Sequence, residues 1–162
     1  MRVQIVGVMG PGDGAKANDL IVAEELGRRI AEAGWAMLCG GRDGGVMAAA
    51  CRGTHAVGGT SIGVLPGPTD VGASPDLTVV IRTGMGNARN AINVLSSDVV
   101  VVCGMGAGTA SELALALKEG KQVILLNASR ISRTFWQDLA PSQVHIAETV
   151  DEAVERIQTI IG

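Results

Sequence analysis

The chain has no tyrosine, one phenylalanine and two tryptophans among 162 residues. Aromatic platforms for stacking nucleic-acid bases are therefore missing, and the core has to be built from Ala, Val, Ile and Leu. Charge is also sparse, with 13 Lys and Arg against 16 Asp and Glu for a net charge of −3. That balance supplies no basic surface for a phosphate backbone, so nucleic acid is not an expected partner. No apolar run approaches the roughly 20 residues of a membrane span, and no membrane partner is expected. Met1-Arg2 leads straight into a β-branched run without the apolar segment or cleavage site of a secretory signal. Three cysteines, at 39, 51 and 103, fit neither a disulfide framework nor a zinc spacing. A reducing cytoplasm and no structural metal are the expectations.

What the chain has in abundance is glycine. Its 23 glycines are roughly twice the usual share of about 7%. They are clustered and aperiodic, which points to main chain approaching a ligand rather than to collagen or a linker. With 47% hydrophobic residues disorder is excluded, and the length suits one domain over residues 1–162.

Short β-branched runs alternate with longer segments of helical period. Val3–Val8 reads as a strand and residues 17–33 as a helix, with Val22, Leu26, Ile30 and Ala33 on one face. Strands follow at Trp35–Cys39, Ser61–Leu65, Leu77–Ile81, Asp98–Cys103, Gln122–Leu126 and Gln143–Ile146. Helices are expected near 46–57 and 88–96, from the Gly104–Thr109 turn to about Glu119, near 135–139, and over the C-terminal segment. Asp98–Cys103 is almost wholly Val, as befits a strand buried on both faces. Repeated strand–helix–strand units predict an α/β, Rossmann-like, doubly wound and mostly parallel sheet of about seven strands, with helices on both faces.

In such a sheet ligands bind beyond the carboxyl ends of the strands. Four strands run into glycine-rich turns that open helices, after Met9, Cys39, Arg82 and Cys103. A single such turn is an ordinary short connection, but four at one end of a sheet predict a ligand site. Neither Lys16 nor Lys121 sits in a Walker sequence. Gly7, Gly10, Gly12 and Gly14 miss the dinucleotide spacing, and the second strand ends in Gly40-Gly41 rather than in an acid for a ribose. NAD is therefore not an expected cofactor.

The most specific segment is Gly104-Met105-Gly106-Ala107-Gly108-Thr109 followed by Glu112. Glycines let main chain wrap an anion closely, and the Thr109 hydroxyl can cap the helix or bind a phosphate oxygen. Glu112 either closes a capping box with Thr109 or faces the ligand. Arg89 falls in the first turn of a helix, where the dipole disfavours a cation, so a nearby anion, a phosphate or Glu112, is implied; the alternative is an ordinary surface arginine. The ligand-binding set is Gly10, Pro11 and Gly12 in the first turn; Gly40, Gly41 and Arg42 in the second; Gly86, Asn87 and Arg89 in the third; and Gly104, Met105, Gly106, Ala107, Gly108, Thr109 and Glu112 in the fourth. No metal ligand is assigned. Cys39 and Cys103 end strands on the ligand side and read as small buried hydrophobes, with thiolate ligation of a soft metal as the alternative. His55 and His145 share no ligand spacing.

These segments carry a resemblance. The chain resembles the Rossmann-type family once labelled "lysine decarboxylase", which includes the LONELY GUY-type phosphoribohydrolases and the molybdenum cofactor carriers. The likeness runs from Ile5 to about Asn127. It is closest to the carrier branch through Ile5–Gly12, Thr60–Pro68 and Gly104–Thr109. The hydrolase branch carries Pro-Gly-Gly-x-Gly-Thr-x-x-Glu and an upstream Arg-Lys pair. Arg89 and Glu112 match its arginine and carboxylate, whereas Asn90 replaces the lysine and Gly104-Met105-Gly106 the Pro-Gly-Gly.

The resemblance implies binding, protection and transfer of the molybdenum cofactor, a pterin phosphate (molybdopterin), without turnover. The alternative is hydrolysis of a nucleoside 5′-monophosphate to base and ribose 5-phosphate, with Arg89 and Glu112 as the catalytic pair. Molybdoenzymes or cofactor-biosynthesis proteins are the implied delivery partners. A homodimer or homotetramer is expected, since family members associate through helices and Ala110–Lys118 is apolar nearly all round.

Overall fold

The computed structural model describes residues 2–162. The β-branched runs form seven strands among these residues: β1 (Ile5–Met9), β2 (Ala36–Cys39), β3 (Ser61–Leu65), β4 (Val79–Arg82), β5 (Val99–Cys103), β6 (Val123–Leu126) and β7 (Val144–Ala147). The helices are α1 (Ala17–Glu32), α2 (Gly45–Ala56), α3 (Arg89–Ser96), α4 (Ala107–Lys118), α5 (Arg130–Leu139) and α6 (Val150–Ile161), with a single 3-10 turn over Gly86–Ala88 just before α3. All strands are parallel in the order β4-β3-β2-β1-β5-β6-β7. The chain winds outward from β1 through β2 and β3 to β4 at the edge, then crosses back to β5 and winds the other way. The carboxyl ends of β1 and β5 flank the switch point where such folds bind ligands.

Alternate side chains of each strand serve opposite faces. Val6, Val8, Met37, Cys39, Val99, Val101 and Ile124 pack against α1, α2 and α6 through Ala23, Leu26, Ile30, Ala50 and Ile157. Met9, Leu38, Val100, Val102 and Leu125 face α3, α4 and α5 through Val94, Leu113, Ala116 and Trp136. The expected run of valines in β5 is fully enclosed.

Helices α1 and α2 touch backbone to backbone. A methyl added at Gly27 would lie 2.2 Å from the Ala50 carbonyl oxygen, and one at Gly53 would lie 1.8 Å from that of Glu24. The small residues of α2 thus serve close helix packing.

Several element boundaries differ from the sequence expectation, β1 among them, which starts at Ile5 rather than Val3 and ends at Met9. Trp35 is buried but precedes β2. The strand expected at Leu77–Ile81 forms over Val79–Arg82, because the Leu77 side chain folds against Gly63, where a methyl would meet Leu77 Cδ1 at 2.5 Å. Helix α5 starts at Arg130 rather than Phe135, since the Ser129 hydroxyl accepts the Ser132 amide at 3.3 Å and caps it there.

Candidate functional site

The turns after β1, β2 and β5 and the start of α3 converge on one cavity of about 210 Å³. Its wall includes Gly10, Pro11, Gly12, Gly40, Arg42, Asn87, Arg89, Gly106, Ala107, Gly108, Thr109 and Glu112 from the expected set. The approach is permitted by missing side chains. A methyl at Gly10 would lie 2.3 Å from the Cys103 carbonyl oxygen, so the first and fourth turns meet only because Gly10 has no Cβ. The first and second turns are joined as well. The Val46 amide donates to the Pro11 carbonyl at 3.0 Å, and Gly45, at φ +54°, leans on Pro11 and Gly12.

Arg89 is the first residue of α3 and is 8% exposed. Its guanidinium donates to Asn90 Oδ1 and, through Nη2, to the Gly40 carbonyl at 3.4 Å, while Nε has no partner. Burial pulls its pKa down and the Glu112 charge opposes that, but an arginine stays cationic throughout the working range. The cation is thus held inside the protein, against its helix dipole, at the edge of a cavity. The ordinary surface-arginine alternative does not hold.

Glu112 is 7% exposed, and its Oε1 accepts from Asn93 Nδ2 at 2.9 Å. Burial raises its pKa, while the Asn93 hydrogen bond and the Arg89 charge lower it. The capping box with Thr109 does not form. Gly106 is the N-cap of α4, which places Thr109 three residues inside the helix, and Glu112 turns to Asn93 instead. The Thr109 hydroxyl is buried with no partner, as is Asn93 Oδ1. An unsatisfied buried polar atom costs about 1–3 kcal/mol. Arg89 Nε and Thr109 Oγ1 belong to two residues that line the same cavity, beside the Ala107 and Gly108 main chain at the N-terminus of α4. Free N–H groups, a positive helix end, a buried guanidinium and an unused hydroxyl form a cradle for an anion.

Asn90, which stands where the hydrolases have lysine, ties α3 to α4. Its Nδ2 donates to Ser111 Oγ at 3.2 Å, and Ser111 Oγ donates to the Gly108 carbonyl at 2.7 Å.

Four expected residues lie elsewhere. Gly41, at φ +77°, packs behind the cavity on Gly63. Gly86 is exposed in the 3-10 turn. Gly104 and Met105 line a separate hollow with Lys16, Asn18, Asn127 and Ser129, on the α1 and α5 side. Conversely, Val8, Met9, Asp13, Met47 and Asn90 complete the cavity wall and were not in the expected set. For Asn93, behind the wall, the signal was its one-turn spacing from Arg89; for Asn90 it was only that it directly follows Arg89.

The cysteines do not reach the cavity wall. Cys39 and Cys51 lie with Sγ atoms 3.7 Å apart inside the core. The Cys51 contact and burial hold the Cys39 thiol well above its usual value, and burial pushes Cys103 up to about 12. Among the described residues no group of three or more His, Cys, Asp or Glu could hold a metal ion. Nor is any described helix long and apolar enough to cross a membrane.

Residues 3–154 match the model of the SLOG cluster4 family, and the chain belongs to that family. Its backbone is similar to that of the molybdenum cofactor binding protein of Rippkaea orientalis, with a TM-score of 0.98 and 49% identity over 100% of this chain and 99% of that one. The molybdenum cofactor carrier protein of Chlamydomonas reinhardtii is also similar, with a TM-score of 0.94 and 46% identity over 99% of both chains. A protein of Archaeoglobus fulgidus, described as uncharacterized, is 40% identical over 126 residues, which are 78% of this chain and 82% of that one.

Proposed function

We propose that this chain binds and carries the molybdenum cofactor, holding its pterin phosphate in the cavity among the β1, β2 and β5 turns and the start of α3, and leaving it chemically unchanged. The observation that carries the reading is the pairing of two buried, unpartnered donors, Arg89 Nε and Thr109 Oγ1, beside the free N-terminus of α4. The likeness to the two carrier and binding proteins, spread over the whole chain, supports it.

The residues divide the task. The Ala107 and Gly108 amides and the Thr109 hydroxyl take the terminal phosphate oxygens, where a charge-assisted hydrogen bond is about twice as strong as a neutral one. Arg89 neutralises the phosphate from the Gly40 side, and Arg42 extends the positive wall. Glu112 and Met47 meet the part of the ligand beyond the phosphate. The cofactor supplies its own metal and dithiolene as cargo, so the chain needs no metal ligand.

The competing reading is hydrolysis of a nucleoside 5′-monophosphate, and what favours it is that Arg89 and Glu112 share one cavity. Against it, Glu112 Oε1 is engaged by Asn93, and Asn90 and Gly104-Met105-Gly106 stand where the hydrolases have their lysine and Pro-Gly-Gly. The chain acts in the cytoplasm as a homodimer or homotetramer and passes its cargo to molybdoenzymes or to proteins that build the cofactor.

Mass spectrometry of the small molecule that copurifies, with titration of the isolated cofactor, tests the reading. A pterin phosphate that saturates the folded protein is expected. Absence of any binding by folded protein overturns the reading, and free base released from AMP transfers the site to the hydrolase class.

A further inference from the structure

Helix α5 presents an apolar stripe to solvent. Ile131, Phe135 and Leu139 are 83%, 58% and 61% exposed, and their spacing of four sets them along one side of the helix. The chain's only phenylalanine is among them. The inner side of the same helix is anchored by buried Trp136, whose ring meets Phe135 edge-on at 4.9 Å. Along one flank of the stripe run Arg130, Thr134 and Asp138, which with Ile131 and Phe135 line a shallow hollow.

The two charges on that flank are placed against their own helix. Arg130 is the first residue of α5 and Asp138 lies in its last turn, whereas the macrodipole favours anions at the start and cations at the end. Neither has an ion-pair partner among the described residues, although neighbouring Arg133 pairs with Glu148. They stand eight residues apart, about 12 Å along the axis.

We infer that a second copy of this chain docks on α5, with the two helices antiparallel across a two-fold axis. The inference rests on the oligomeric reading above and names the surface. In that arrangement Ile131 meets the partner's Leu139, Phe135 meets the partner's Phe135 at the axis, and Arg130 meets the partner's Asp138. The reciprocal pair forms on the same flank, because equivalent flanks face each other in an antiparallel pair. Each charge then lies at the helix end that suits it, and the exposed stripe leaves water. A parallel pair would carry this flank to opposite sides of the contact and leave Arg130 and Asp138 without opposite charges, so the charge pattern selects one sense. A ten-residue helix is about 15 Å long and covers less than the ~800 Å² per partner of a standard interface. The contact is therefore the weaker, concentration-dependent one of a tetramer.

Light-scattering mass of the full chain across a dilution series tests this, with folding monitored by circular dichroism. Wild type is expected as a tetramer that halves on dilution. Phe135→Asp and, as a second variant at a still more exposed position, Ile131→Asp are expected to halve the mass at all concentrations. Arg130→Asp or Asp138→Arg is expected to raise the midpoint of dissociation roughly tenfold, and the doubly reversed chain to restore it. Folded Phe135→Asp and Ile131→Asp chains that keep the wild-type mass overturn the α5 contact while leaving the oligomeric reading intact. Failure of the double reversal to restore association overturns the antiparallel sense. A wild-type monomer at every concentration overturns the oligomeric reading itself.

Discussion

The guanidinium of Arg89 lies across Gly40, with Nη2 2.9 Å from the position a Cβ would occupy there. The second turn is bare at that point, and the cation from α3 fills the space. Arg89 is thereby held at the cavity edge with one donor on the Gly40 carbonyl and Nε unused.

Gly40→Ala should therefore displace the arginine rather than merely crowd a turn. Ligand affinity is expected to fall by about tenfold or more, equivalent to ~1.4 kcal/mol. Titration calorimetry with the cofactor or with inorganic phosphate measures it, and unchanged affinity would remove Arg89 from the anion site.

Gly108 behaves in the opposite way. A methyl there meets no protein atom within 4 Å, and the residue lines the cavity in the second position of α4. Gly108→Val should leave the melting temperature within a few degrees, since the helix gains from losing a glycine, yet obstruct the anion cradle and abolish saturable binding.

Thr109→Val exchanges an unpartnered buried hydroxyl for a methyl of similar shape. Losing an orphaned polar atom is expected to be neutral or stabilising by about 1 kcal/mol, while phosphate affinity drops. Denaturant unfolding and phosphate titration on the same variant separate the two effects. A loss of stability with unaltered affinity assigns the hydroxyl to the fold.

Glu112 has its native pKa raised by burial, so the folded protein holds that proton more tightly than the unfolded chain. The associated stability is fully present below the unfolded carboxylate value, near 4.3, and is lost as pH rises through the higher native value. Glu112→Gln keeps the acceptor for Asn93 without the charge. Its gain in melting temperature over wild type should be smallest near pH 4 and grow toward neutrality, followed by calorimetry across that range. A difference that shrinks with rising pH contradicts the assignment.

Gly53→Ala should cost about 1–3 kcal/mol through overpacking, because the added carbon lies 1.8 Å from the Glu24 carbonyl oxygen. Urea unfolding reads this directly.

The order of strands and helices was legible because β5 is a bare run of Val and α1 keeps a clean helical period; both are local signals. The cavity was legible through the glycines at strand ends, which mark where main chain converges. What escaped were facts of tertiary partnership. Thr109 and Glu112 have capping-box spacing, but the helix starts at the Gly106 cap, so that spacing falls inside the helix. Asn93 became important only when α3 packed beside α4. Gly104 and Met105 stand in the same motif as Gly106, yet the turn carries them into a neighbouring hollow between the starts of α1 and α5. The Ser129 cap sets the start of α5 at Arg130, ahead of Phe135, where the helix is expected from the sequence to begin.

The amide of Val46 on the Pro11 carbonyl leaves the cavity with unequal walls. Its β1 and β2 side is riveted main chain to main chain, so those turns shift only as one body. Its α3 and α4 side is latched through side chains, from Asn90 to Ser111. Any parting of α3 from α4 has to break two side-chain bonds, Asn90 to Ser111 and Asn93 to Glu112, and leaves that main-chain rivet intact.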